Sequence, residues 1–571
     1  MKTINILKGA LLCATVMLAS SCADLDLQPL TEPSSGTWNS KLDEVRISIN
    51  DLYRSYPYNL ETRWFTDGHT DDFCHRNKVY DVPAATLTSS TSWIETTWEN
   101  TYKAISRCNR VLESLDKLGY GPDEARRLAG EARLFRAYFY SRLISLWGDV
   151  PFCSTTITIE QAREMGRAPV SEILPTIYAD YDYAYENLPE SNVVQGIWRV
   201  NRYVAAALKT RIALTMKDWE IARDAAKLVI DSKKYALYPD FGALFRDKTM
   251  DNGEYIFCIA NSAELGQSSS VNSFMLRTTV GSGASGFPSW DLLAAFECTD
   301  GKPIDESPLF DPHNPYLNRD PRCNETFVAP GSTVYGCVYD PSPLATTVLL
   351  DGKRVTNKDS KINDQYAAPT GTCLRKGAQD EWRTGKNVSD NPTIIIRYAD
   401  VLLMYAEAKI ELNEIDDATL EAMNRVRARA YGVQHTETDK YPAIVTRSQS
   451  ELRTILRTER RMEFAFERLR IYDLLRWRIA EKVLNYSDWT IKYNAGANVL
   501  KKVMTDGQWF IPTPAIDESG CPEMDATFSR ENRPHITALY NRVFNPEIHY
   551  LWPLPATDVL VNKNLKQNYG Y

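Results

Sequence analysis

A mainly α fold is predicted, in which paired helices build a scaffold for an irregular, loop-rich lobe with a few short strands. Three features predict it. Apolar residues recur at helical spacing in segments that come in pairs joined by short connectors. Residues 255–397 lose that period and alternate short β-like runs with loops rich in Gly, Ser, Pro, Asp and Asn. Residues 451–477 regain it with Leu452, Ile455, Leu456, Met462, Phe466 and Leu469, and every cation among them is an arginine.

Residues 43–56 read as a helix with Val45, Ile49 and Leu52 on one side. A polar and aromatic loop without a clear period, 58–92, follows. Residues 93–118 form a helix whose Trp98, Tyr102, Ile105, Val111 and Leu112 face inward. After a break at 119–122, a second helix runs over 123–147 and is ended by Gly148 and Pro151. Helices joined so tightly must be antiparallel neighbours. The pattern returns at 203–216 and 219–230, across the turn Lys217-Asp218, and again at 398–412 and 418–430. Small residues where the paired helices cross suggest tetratricopeptide-like units, which bury their apolar faces on one another. A stretch without helices as long as 255–397 exceeds an ordinary connection and reads as a lobe laid against the scaffold. The tail from Lys492 is similarly irregular. In the 451–477 helix, Glu459 and Glu463 interrupt or flank the apolar stripe, so carboxylates are drawn inward. Arg460, Arg461, Arg468, Arg470 and Arg476 are of the type that grips a buried carboxylate with two parallel hydrogen bonds. The segment reads as a structural buttress; a solvated charged face is the alternative.

Composition narrows the function classes. With 571 residues, 43% of them apolar, the chain can bury a large core, and a net charge of −8 offers no attraction to nucleic acid. Lys2 and Lys8, an apolar run over 9–18 and the small residues Ala19-Ser20-Ser21 before Cys22 make 1–21 a signal peptide. The ending on cysteine resembles a bacterial lipobox, with Leu18 four positions before Cys22 where many lipoboxes place it three before. Cys22 would then be the lipidated first residue of the mature chain. Asp24 and Asp26 resemble the surface-export signal of Bacteroides-type lipoproteins. Setting aside Cys13 and Cys22, nine scattered cysteines remain, with no Cys-x-x-Cys pair, and indicate neither a disulfide framework nor a zinc site.

Several stretches resemble one family, SusD/RagB: GEARLFRAYFYSRLISLWGDVPF at 130–152, RYADVLLMYAEA at 397–408, NRVRARAYG at 424–432, the ERR…DLLRW helix, WENTYKAISRCN at 98–109 and the terminal YLWPLP…QNYGY. The resemblance spans residues 22–571, with Tyr569 standing where the family usually has proline. It implies a SusD-like fold of tetratricopeptide-like helix pairs, divided here into 22–232, a loop-rich ligand-binding lobe at 233–396, and C-terminal helices and tail at 397–571. It further implies a cell-surface lipoprotein of Bacteroidetes, held at the outer membrane by its lipid anchor. Such proteins bind a nutrient, usually a glycan and sometimes a peptide, and partner a SusC-like TonB-dependent transporter. Neither catalysis nor a cofactor is implied.

Sugar recognition needs flat aromatic faces and hydroxyl-binding polar groups. The loop 64–93 offers Trp64, Asp71, Asp72, Arg76, Tyr80 and Trp93. Trp93 is the foremost candidate, with an N-terminal staple on its helix as the alternative. Trp290 offers a second ring, unless it packs with Leu292, Leu293 and Phe296. Trp98 should be core. His69, Asp71, Asp72, Cys74 and His75 are dense in potential metal ligands but lack zinc spacing, so no metal site is expected. Gly281, Gly283 and Gly286 spell a dinucleotide fingerprint without a surrounding βαβ unit, and read as a flexible loop. A glycoside hydrolase would need two carboxylates flanking a bond, yet Asp71 and Asp72 would point opposite ways on an extended segment. A pure scaffold that touches no nutrient is the third class.

Overall fold

The computed structural model describes residues 39–571 except 55, 63, 119–121, 195, 282, 386, 493–496 and 530–532, and only the backbone of 64, 65, 118, 122 and 497. The signal peptide and the Cys22 lipidation site lie outside the described residues.

The long helices follow one another in space. Helix α1 (Leu42–Asn50) lies on α2 (Ser92–Leu118), and α2 packs on α3 (Pro122–Trp147). The series continues through α4 (Val170–Asn187), α5 (Arg202–Met216), α6 (Trp219–Asp231), α7 (Tyr398–Glu411) and α8 (Asp417–Ala430), each on its predecessor. Helices α6 and α7 are neighbours although residues 232–397 intervene, so the loop-rich lobe is an insertion into a continuous helical stack. Small residues allow the close crossings: Ala205, Ala206, Ala207 and Ala213 on α5 and Ala222, Ala225 and Ala226 on α6 are all buried. The predicted turn at Lys217 is real, with a left-handed φ of 65°.

Helix α4 was not among the predicted elements. Its inward face includes Asp180, which binds Arg136 (Nε to Oδ2 2.7 Å), and its interior holds Pro175. Its buried Ile173, Ile177, Tyr181 and Ala184 nevertheless recur at helical spacing.

The helix expected over 451–477 is instead two helices, α9 (Gln449–Phe464) and α10 (Arg470–Arg476). Phe466 and Arg468 between them take left-handed φ values of 60° and 63°. The break has a physical cause. Lys376 donates to the carbonyl oxygens of Glu463 and Ala465, both at 2.9 Å, and so satisfies acceptors that a helix end leaves open. Glu467 turns inward, binding Lys376 at 2.7 Å and Arg397 at 2.7 and 2.8 Å. Helical spacing alone cannot show an end that is stabilised by a lysine from the lobe.

Strand β1 (Phe73–His75) belongs to the loop that precedes α2. In the lobe, β2 (Tyr255–Ile259) is followed by β3 (Gly286–Pro288), which pairs antiparallel with β1. Strands β4 (Thr333–Val334), β5 (Cys337–Val338), β6 (Thr347–Leu350) and β7 (Lys353–Thr356) form an antiparallel sheet in that order. Strand β8 (Thr393–Arg397) pairs with β2, so the chain leaves and re-enters the scaffold through one two-stranded gate. The tail adds β9 (Ser487–Ile491) and β10 (Ile536–Asn541), paired antiparallel.

The main core runs through the helical stack from Leu52 to Leu565, and the lobe has smaller cores of its own, one built on Val271, Tyr335, Val348 and Trp382. Trp98 is core, as expected, with its indole N–H on Asp558 at 2.8 Å. The nine described cysteines are free thiols, all buried except the half-buried Cys153. No described helix is long and apolar enough to cross a membrane.

Candidate functional site

Beneath the lobe lies a layer of buried charge. Glu459 and Glu463 on α9 have no exposed surface. Arg322 reaches Glu459 at 2.6 Å and Glu463 at 3.1 Å, Arg397 reaches Glu463 at 2.6 Å, and Arg427 reaches Glu459 at 2.8 Å. Arg429 also holds Glu463. Burial alone would raise the Glu463 carboxyl, but Arg429, Arg397 and Arg322 outweigh it and hold the group well below the usual range. Arg460 bridges Asp400 (2.8 Å) and Asp473 (3.1 Å), and Arg476 binds Glu407. The buttress is therefore an interior network, and the solvated-face alternative is wrong.

That network also claims two residues predicted to touch ligand. Asp71 and Asp72 are 0% and 1% exposed. Arg470 grips Asp71 with two parallel hydrogen bonds at 2.8 and 2.9 Å, and Arg461 lies 2.8 Å from both carboxylates. Burial works against the Asp71 charge, yet Arg461 and Arg470 keep its carboxyl below the ordinary range. Burial, with Asp71 beside it, pushes Asp72 up. A carboxylate with no exposed surface cannot meet a ligand in this conformation, and both residues are corrected to structural anchors of the loop. The missed signal was pairing: arginines on α9 and α10 need carboxylates, and these two lie nearly 400 positions away in sequence.

Trp290 is corrected as well. It is 3% exposed, packs with Ile491, Leu500, Met524 and Phe528, and donates its indole N–H to the Thr370 carbonyl at 2.7 Å. The Trp64 side chain lies outside the described residues.

The remaining candidates form a half-buried rim above the charged layer. Trp93 opens α2, its indole N–H on Asp81 at 2.8 Å and its ring against His69 (centroids 4.9 Å) and Trp552 (5.1 Å). Tyr80 meets His69 and His75 edge-on at 5.5 and 5.8 Å, and the Lys78 ammonium sits 4.3 Å above the Tyr80 ring. The Tyr80 ring covers Gly68 so closely that an added Cβ would lie 2.7 Å from it. Gly286 is held to glycine for the same reason, because a Cβ there would meet the Phe73 ring at 2.7 Å. The fingerprint stretch thus has a structural use: Gly286 pairs with His75, and the Arg76 amide donates to Ser285 at 3.0 Å.

Burial lowers the His69 and His75 imidazoles to about 4, with Lys78 and Arg76 assisting at His75, so both are neutral at pH 7. Arg76 sits beside Tyr366, an exposed ring that sequence reading overlooked because its segment, 359–366, has no motif. Together the rim presents the partly exposed rings of Trp93, Tyr80 and Tyr366, the neutral His75 imidazole and cationic donors, with His69 buried behind them. This is a set that can stack on sugar rings and bind their substituents. No described group of three or more His, Cys, Asp or Glu is placed to hold a metal ion.

A helical-repeat stack that carries a loop-rich lobe defines the fold class of this chain. Residues 253–571 match the model of the SusD family, and residues 25–214 match one described as starch-binding, associating with the outer membrane. The first match covers more than half of the chain, which belongs to the SusD family. A SusD-like protein of Bacteroides ovatus is 24% identical over 557 residues, 89% of this chain and 91% of its own. One from Formosa agariphila is 24% identical over 434 residues, covering 70% and 74%. The solved structure of a SusD-like carbohydrate-binding protein from Bacteroides fragilis superposes with a TM-score of 0.75 at 25% identity, over 93% of this chain and all of that one. A further neighbour in fold, solved with a xylogluco-oligosaccharide, has a TM-score of 0.63 at 21% identity and covers 91% and 97%.

Proposed function

We propose that this protein is a lipid-anchored, surface-exposed outer-membrane lipoprotein that captures an oligosaccharide at the Trp93–Tyr80–Tyr366 rim and passes it to a SusC-like TonB-dependent transporter. The observation that carries the reading is the rim, set on a scaffold whose family includes carbohydrate-binding members. Binding without catalysis is supported by the fate of the acidic pair weighed for hydrolysis: Asp71 and Asp72 are held inside by Arg461 and Arg470. Acyl chains on Cys22 contribute about 0.8 kcal/mol per buried methylene, so several chains hold the mature protein at a membrane.

Calorimetry against a glycan and peptide panel, with product analysis of the same mixtures, tests the role. Binding of an oligosaccharide without cleavage is expected. Release of shorter sugars means a hydrolase, binding of peptides alone moves the ligand class, and no ligand at all leaves only a scaffold. Metabolic palmitate labelling that is lost in Cys22→Ser, and co-purification with a barrel transporter, check the anchor and the partner.

A further inference from the structure

Two arginines meet at the rim of a molecule that is acidic as a whole, at net charge −8. Arg76 and Arg277 come from distant parts of the chain, yet each guanidinium carbon lies 5.0 Å from the centroid of the Tyr366 ring. The ring quadrupole attracts both cations and offsets part of their mutual repulsion. Tyr366 itself is 45% exposed, whereas the Arg277 side chain keeps only 11% of its surface, so the pair reaches solvent chiefly past the tyrosine ring and Arg76.

The charges here are not balanced. Arg277 has a counter-ion, donating from Nε to Asp364 at 2.6 Å. No carboxylate pairs with Arg76 among the described residues. Its Nη1 donates to the carbonyl oxygens of Ala284 (2.6 Å) and Tyr366 (3.2 Å), and its buried Nε meets no acceptor. Carbonyl oxygens fix a guanidinium in place without neutralising it. Lys361 shares the field, donating to the Gln365 carbonyl at 2.9 Å. Burial and then repulsion from Arg76 push its ammonium down to about 8, and burial and then Arg277 lower the Arg76 guanidinium. Nearby acids are engaged elsewhere: Asp359 accepts the backbone N–H groups of Arg277 and Thr278, and Asp81 accepts the Trp93 indole. Half-buried positive charge normally finds a partner within the protein; Asp364 acts on Arg76 through space but forms its ion pair with Arg277.

We propose that Arg76 and Arg277, set around Tyr366, form a subsite for the carboxylate or sulfate group of an acidic glycan. The proposal rests on the glycan-binding reading and names the charge that its ligand carries. A guanidinium presents paired N–H donors to either group, a match that a neutral sugar hydroxyl does not make.

The test uses the full mature chain and its Arg76→Gln and Arg76→Lys variants, with folding checked by circular dichroism. The probes are an oligogalacturonate, the same oligomer with its carboxyls reduced to alcohols, and a sulfated galactan oligosaccharide. Free galacturonate and inorganic sulfate supply the charge without any particular polymer. We expect one acidic oligomer to bind at least tenfold more tightly than the reduced one, with affinity falling as salt rises. Arg76→Gln should lose about tenfold for the acidic ligand alone, and Arg76→Lys should keep part of it. The two acidic oligomers tell carboxylate from sulfate. Galacturonate or sulfate should raise the Tm of the wild type and not that of Arg76→Gln. Equal affinity before and after carboxyl reduction with no response to sulfate, or wild-type binding of acidic ligand by Arg76→Gln, overturns the subsite. So does the absence of any response to the free anions and acidic oligomers. A protein that binds only neutral glycans keeps the glycan-binding reading and loses this subsite; one that binds no glycan loses both.

Discussion

The charged layer under the lobe and the rim above it are built from similar residue types, and burial gives them opposite work. In the layer, each arginine meets at least one carboxylate: Arg397 meets Glu254, Glu463 and Glu467, and Arg470 meets Asp71. At the rim, Arg76 meets carbonyl oxygens and a tyrosine ring. Charge satisfied from within holds a structure together, whereas Arg76 and the partly exposed rings beside it meet solvent. The two regions are also physically joined. Asp71 and Asp72 lie in the segment that leads to Arg76 and Tyr80, so the two regions share one stretch of chain while their contacts stay separate.

The largest effect should come from breaking the layer. Glu463→Ala leaves Arg322, Arg397 and Arg429 sharing a buried site without their common carboxylate, and should cost about 3–5 kcal/mol. Urea unfolding measures this, and a loss below about 1 kcal/mol would mean the network is not structural. Asp71→Ala tests the division more sharply. If Asp71 belongs to the layer, unfolding stability falls by about 3 kcal/mol while the folded fraction keeps its ligand affinity.

The buried imidazole between the two regions gives a pH signature. Unfolded histidine takes its proton near 6.5, whereas burial holds His69 at about 4. Between these values the unfolded chain binds more protons, so His69 makes stability fall as pH falls from 6.5 to 4. The change approaches one proton, about 1.4 kcal/mol per pH unit and up to about 3 kcal/mol in all. In His69→Phe the slope of unfolding free energy against pH over this window should drop by nearly one proton; an unchanged slope would show the ring protonates normally.

Smaller effects belong to the rim. Trp93→Ala should weaken oligosaccharide binding by about 1–3 kcal/mol, with some stability lost through the Trp552 and His69 contacts. Tyr366→Ala, at an exposed ring, should change unfolding stability by no more than about 0.5 kcal/mol. A large stability loss there would move Tyr366 into the layer and dissolve the contrast.

Much of this was readable in the sequence, for reasons that also explain the rest. Helices α2 and α6 announce themselves by one apolar face, whereas α5 and α7, buried on nearly every side, show as apolar, alanine-rich runs. Helix α4 carries an apolar period too, in Ile173, Ile177, Tyr181 and Ala184, and was passed over all the same. The inward pull of Glu459 and Glu463 followed from their place on an apolar stripe, but their partners Arg322, Arg397, Arg427 and Arg429 come from three other segments that spacing cannot connect. Asp71 and Asp72 went astray for the same reason. An acidic pair in a polar loop looks exposed until Arg461 and Arg470 are placed beside it. Trp290 went astray because a tryptophan after a glycine-rich loop reads alike whether its ring faces solvent or Phe528. Tyr366 was overlooked because no motif marks a ring gripped by two distant arginines.

The division of labour is tested most directly by one calorimetric titration, in which the same oligosaccharide is added to wild type, Asp71→Asn and Trp93→Ala proteins, each corrected for its folded fraction. Asp71→Asn should keep the wild-type Kd, and Trp93→Ala should raise it roughly tenfold or more. Weakened binding by folded Asp71→Asn together with wild-type binding by Trp93→Ala would contradict that division.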